Sequence, residues 1–97
     1  MNDLLSAIGL ATKANKLVFG EKVLASIRNK QAQLVIISPD ASANTRKRLI
    51  DKCKYYQVAY YEKLSMEDIQ QATGKINRLY FSVSDKNFKR LIESKIR

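Results

Sequence analysis

Apolar residues recur at helical spacing from the start of the chain. Leu4, Ile8 and Ala11 repeat every three or four positions, with Leu5 on the same side. The pattern predicts a helix over residues 3–14, begun by Asn2 or Asp3 as its cap. Gly9 is a mild flaw inside it, costing up to about 1 kcal/mol against alanine, and it leaves room for close packing. The period then changes. Leu17-Val18-Phe19 reads as a short strand, and Val23, Leu24 and Ile27 predict a second helix over 21–29. Gln33–Ser38 contains the continuous apolar run Leu34-Val35-Ile36-Ile37. Such a run predicts a strand buried on both faces, with helices covering both sides of the sheet.

Pro39 stops that strand, and Asp40 and Ser42 are turn and cap residues. A third helix is predicted over 44–55, with Leu49, Ile50, Cys53 and Tyr56 inward and Arg46, Lys47, Lys52 and Lys54 on its other face. Val58–Tyr61 is the next strand. Ser65-Met66-Glu67-Asp68 resembles a capping box, opening a short helix with Met66, Ile69 and Ala72 inside. Gly74 ends that helix as a left-handed residue. Leu79–Val83 is the last strand, and Asp85 caps a final helix that turns Phe88, Leu91 and Ile92 to the core. Four strands alternating with helices predict an α/β fold, a three-layer α/β/α sandwich forming one domain over residues 1–97.

Composition narrows the function. The 97 residues are 45% hydrophobic, enough for one core and too few for two. No stretch approaches the roughly 20 apolar residues of a membrane span. The N-terminus has no basic region before its apolar part, so a cytoplasmic protein is expected. Cys53 is the single cysteine and there is no histidine. A disulfide within the chain is excluded, and metal sites and nucleophile–histidine pairs lack their commonest parts. No catalysis, no metal and no cofactor are expected. The balance of 18 Lys+Arg against 9 Asp+Glu gives a net charge of +9 and a pI near 9.9. That balance points to a nucleic-acid partner.

Three segments are candidates for contact. At Phe19-Gly20-Glu21-Lys22 a strand breaks at a glycine and a helix begins, with Lys13, Lys16 and Lys22 flanking the junction. Unpaired N–H groups at a helix start favour an anion, and Glu21 can accept hydrogen bonds from a guanine edge. An ordinary tight turn fits the local sequence as well. The second segment, Asp40–Arg46, follows a strand's carboxyl end, where α/β sheets bind ligands. There Arg46 can touch an RNA backbone, or simply lie on a solvated helix face. In the third, Gly74–Arg78, an exposed Ile76 between Lys75 and Arg78, with Asn77 beside it, can pack on a splayed base. Taken alone, the segment reads first as a helix-ending turn with two surface cations. Cys53 and most of the five tyrosines fit core positions.

In order along the chain, three longer stretches are similar to one family. Gly9–Glu21 resembles the opening of the kink-turn-binding ribosomal protein family of the L7Ae type, Gln31–Ser42 its central strand and following loop, and Asp51–Val58 the segment before its third strand. The combination Asp-Ala-Ser-x-Asn-Thr and Asp-Lys-Cys-x-Tyr-Tyr points to the bacterial YlxQ-like branch. The resemblance implies a mixed four-stranded sheet and binding to kink-turns, bent RNA helices with a bulge beside tandem G·A pairs. It implicates Phe19, Gly20, Glu21 and Lys22 at the guanines, and Lys75, Ile76, Asn77 and Arg78 at the bulge. It departs from the family's Asn-Glu-x-x-Lys reader. With Glu21 on the motif glutamate, Gly20 and Leu24 replace the asparagine and lysine. In the ungapped register, Glu21, Lys22 and Ala25 take the three positions.

One good bidentate base contact is worth roughly 1–3 kcal/mol, so the missing readers predict weak, altered or absent binding to a standard kink-turn. The charge still supplies salt-sensitive RNA affinity through Lys13, Lys16, Lys22 and Arg46. The expected protein is a monomer bound to structured RNA, ribosomal or riboswitch in type. The alternative is an interaction module for an acidic partner in the translation machinery.

Overall fold

The computed structural model describes residues 3–96. Helices and strands alternate as α1 (Asp3–Lys13), β1 (Leu17–Phe19), α2 (Lys22–Arg28), β2 (Leu34–Ile37), α3 (Ala43–Tyr56), β3 (Ala59–Tyr61), α4 (Met66–Thr73), β4 (Tyr80–Val83) and α5 (Lys86–Ile96). Asn2 lies outside the described residues, and Asp3 is the first residue of α1. Boundaries differ from those read in the sequence by a residue or two, the range over which helix and strand ends fray.

The strands form one mixed sheet in the order β1-β4-β2-β3. Strand β4 runs antiparallel to both β1 and β2, and β3 runs parallel to β2. The first three strands therefore leave the sheet at the end where β4 begins. Phe19 lies opposite Phe81, and Ile37 opposite Tyr80.

The alternation of side chains along β2 separates two cores. Leu34 and Ile36, with Phe81 and Val83, meet Leu4, Ile8, Ile69 and Ile92 of α1, α4 and α5. Val35 and Ile37 meet Val23, Ile27, Leu49 and Cys53 of α2 and α3. All four β2 residues are buried, as a strand covered on both faces requires. The polar pair under α2 is satisfied: Ser26 Oγ donates to the Val23 carbonyl at 2.6 Å and lies 2.9 Å from Ser82 Oγ.

Local caps form where the sequence places them. Ser42 Oγ accepts from Thr45 N–H, Ser65 Oγ from Asp68 N–H, and Asp85 Oδ2 from Phe88 N–H. Gly74 ends α4 at φ 74°. Two expectations change. Met66 is exposed, not inside, because it opens α4 at the surface, where Asp40 Oδ2 accepts its N–H at 2.9 Å. Thr73 is buried instead and donates its hydroxyl to the Ile69 carbonyl at 2.7 Å. Asp40 thus caps a helix distant in sequence besides shaping its own turn.

Gly9 serves close packing. A Cβ there would lie 3.2 Å from the Ala72 carbonyl oxygen of α4. Gly9→Val should lower stability by about 2 kcal/mol in a urea melt, through overpacking at that contact. Gln57 closes α3 in the left-handed region at φ 58°. Gln57→Gly should raise stability by about 1 kcal/mol in the same melt, because glycine adopts that backbone without the Cβ penalty.

Candidate nucleic-acid interface

Phe19 is the last residue of β1, and its ring is the centre of the candidate surface. It rests on Phe81 of the neighbouring strand, the ring centroids 5.8 Å apart and tilted by 47°. Phe81 is fully buried, so Phe19 is held from beneath by the core. Gly20 follows at φ 70°, a conformation that turns the chain out of the sheet and favours glycine. Its carbonyl accepts from Val23 N–H at 3.0 Å. Glu21 and Lys22 are exposed at the start of α2, and no side chain caps that start. Val23 N–H is served only by the Gly20 backbone carbonyl, whereas in α3 and α4 the side chains of Ser42 and Ser65 serve the first turn.

The segment between α4 and β4 arrives at the same place. Lys75 Nζ lies 5.6 Å from the Phe19 ring centroid, and Arg78 Cζ lies 5.5 Å from it. Each cation is attracted to the ring's negative face by about 0.5–1 kcal/mol at an exposed site. Between them Ile76 is 64% exposed, and Asn77 turns the chain at φ 58°, a left-handed angle that asparagine tolerates. Among the described residues the ion pairs are Arg46–Glu62 and Lys47–Asp51, so neither Lys75 nor Arg78 has a carboxylate partner. Two like charges are gathered on one ring without neutralisation, beside an exposed apolar side chain. Such a surface attracts an anion that brings an apolar face with it.

The structure brings together Phe19, Gly20, Glu21, Lys22, Lys75, Ile76, Asn77 and Arg78. It separates the other three candidates from them. Lys13 ends α1 and Lys16 precedes β1, where its carbonyl accepts from Ser84 N–H and Ser84 Oγ. Both precede β1, at its opposite end from Gly20, and Lys16 is four residues, about 13 Å of extended chain, from that glycine. The expected ring of three lysines around the junction is therefore split. Arg46 is at the correct end of the sheet, but near its far edge. Its guanidinium lies 3.4 Å from Glu62, which follows β3. Three strand spacings, about 14 Å, separate that edge from β1. Phe81 was missed as a site residue. Its signal in the sequence is only that of a core aromatic.

A groove of about 630 Å³ follows the open edge of β1, from Asn15 and Ser84 at one end to Glu21 and Lys22 at the other.

A mixed β1-β4-β2-β3 sheet between two helical layers, with a helix start and a basic loop meeting at one end, defines a class of protein, and sequence relationships name it. Residues 2–91 match the model of the Ribosomal protein L7Ae/L30e/S12e/Gadd45 family. The chain belongs to that family. It is 43% identical over 82 residues to the RNA-binding protein YlxQ of Bacillus subtilis (strain 168), covering 84% of this chain and 82% of that protein. It is 42% identical over 94 residues to the RNA-binding protein YlxQ of Enterococcus faecium, covering 92% and 90%. Among solved structures, a protein of unknown function from Bacillus halodurans C superposes with a TM-score of 0.94 at 36% identity, covering 99% of this chain and 98% of that one. A 15.5kD RNA binding protein from Giardia lamblia superposes with a TM-score of 0.77 at 17% identity, covering 97% and 82%, and so shares the fold.

Cys53 stands apart from this surface. It is buried between α3 and the sheet, and burial pushes its thiol up from 9.0 to about 12. The thiolate is the reactive form, so the native side chain is inert at neutral pH. A thiol reagent at pH 8 should leave the folded protein unlabelled and modify it fully once urea unfolds the chain. Because the folded value is raised, the thiol's contribution to stability is complete below pH 9 and is lost as pH climbs toward 12.

Proposed function

We propose that this chain is a non-catalytic RNA-binding protein that recognises structured, kink-turn-like RNA at the end of the sheet where β4 begins. The observation that carries the reading is the pair of unneutralised cations, Lys75 and Arg78, held over Phe19 beside the uncapped start of α2. Relatives named as RNA-binding proteins, similar over most of this chain, support the class of partner.

In the proposed complex, Lys22, Lys75 and Arg78 meet phosphates, and the N–H groups after Gly20 add to that contact. The Glu21 carboxylate accepts hydrogen bonds from a guanine edge. Ile76 covers a base extruded at the bulge, with Asn77 setting the turn that presents it. The family's asparagine and distal lysine are absent in either register, since Leu24 and Ala25 offer neither a hydrogen bond nor a charge. Selectivity then rests on Glu21 and on the fit of the bent backbone to two neighbouring loops. Arg46 has a smaller part, because Glu62 already neutralises it.

Titration of a kink-turn RNA and a straight duplex of equal length, at two salt concentrations, tests the reading. The kink-turn should bind more tightly, and Glu21→Gln should narrow the difference. Lys75→Gln with Arg78→Gln should reduce the slope of log K against log salt by about 2, one phosphate contact for each cation. Equal affinity for the two RNAs would remove the structure-specific part. An unchanged slope would remove the phosphate contacts.

A further inference from the structure

A second set of cations collects at the opposite end of the sheet, where β2 and β3 begin and β4 stops. Arg28 closes α2 and Lys30 follows it, Lys54 lies in the last turn of α3, and Lys86 and Lys89 lie in the first turn of α5. Among the described residues the acids at this end include Asp85, whose carboxylate accepts from Phe88 N–H at 3.0 Å, and Glu93, which lines a pocket with Leu34 and Ala59 at the start of β2 and β3. Arg46 and Lys47, in the first half of α3, face Glu62 and Asp51. Lys54 has no ion-pair partner among the described residues.

A groove of about 240 Å³ crosses this end, and Lys30, Lys89, Tyr56 and Gln57 line it. Each helical layer thus places one cation in a single concavity. Beside it Tyr55 is 78% exposed, its ring edge-to-face with that of Tyr56 at 4.8 Å between centroids. The other tyrosines of the chain are at least partly buried. Lys30 itself sits at φ 60°, where glycine would be the easier residue. The turn therefore does not account for a lysine at this position.

Basic side chains lining a groove, with an exposed ring for a base to stack on, are the means by which single strands are held without sequence preference. We propose that this end of the sheet binds a single-stranded RNA segment, Lys30 and Lys89 meeting its phosphates and Tyr55 stacking on a base. The protein then joins two RNA elements, one at each end of its sheet. This inference goes beyond the kink-turn reading and does not depend on it.

The test uses an oligouridine of about ten nucleotides, a length within single-strand site sizes. Ultraviolet crosslinking should join it to Tyr55. Tyr55→Ala combined with Lys30→Gly should weaken oligouridine binding by roughly tenfold, the loss of one stacked base and one phosphate contact. The same variant should leave kink-turn affinity within about twofold, since neither residue lies at the other end of the sheet. Lys30→Gly relieves a left-handed lysine, so its thermal midpoint should hold or rise, and weaker binding cannot then be ascribed to unfolding. Lys75→Gln with Arg78→Gln should show the reverse pattern. Crosslinks confined to residues 19–22 and 75–78, or unchanged oligouridine affinity in the double variant, would overturn the proposal. Polyglutamate binding as tightly as oligouridine would also overturn it, and would assign the surface to an acidic protein.

Discussion

The placement of β4 between β1 and β2, antiparallel to both, is the constraint on which the rest of the molecule depends. It makes β1 an edge strand and delivers the segment before β4 to the end where β1 and β2 finish. Phe81 then lies beneath Phe19, and Lys75 and Arg78 lie over it. A β4 running the other way would carry Ile76 to the far end of the sheet. The pairing also sets the core. Phe81 and Val83 join Leu34 and Ile36 on one face, while Ser82 meets Ser26 on the other.

Electrostatics gives the two ends of the sheet separate characters. The chain has 18 cations, and two of them form ion pairs among the described residues. Exposed pairs of this kind contribute little to stability, so their effect is mainly on the field outside the protein. Glu62 and Asp51 pair with Arg46 and Lys47 of α3. Lys75 and Arg78 beside Phe19, and Lys30 and Lys89 at the other end, have no ion-pair partner among the described residues. Both places combine charge with an aromatic ring, and this distinguishes them from a merely soluble basic surface.

Family membership fixes the fold but does not by itself fix the site, because function is carried by particular side chains placed on a common frame. Here the frame is kept while two polar readers at the start of α2 are missing. The uncapped start of α2, the exposed Glu21 and the basic loop remain. In the proposed complex they meet a bent RNA backbone, with less of the base-by-base discrimination that paired polar groups provide.

Much of the architecture was legible from residues near one another in the chain. Period-3.6 apolar patterns marked the helices and short apolar runs the strands, the run at Leu34–Ile37 revealed a strand covered on both faces, and Ser42, Ser65, Gly74 and Asp85 marked helix ends. These signals arise within about four residues, so the sequence alone determines them. Tertiary structure decided the rest. It turned Asp40 toward Met66, joined Arg46 to Glu62, parted Lys13 and Lys16 from Lys22, and set Lys75 and Arg78 on Phe19. Each of these contacts depends on strand order and direction. Apolar periodicity is the same for either direction of a strand, so only the assembled sheet could choose between them.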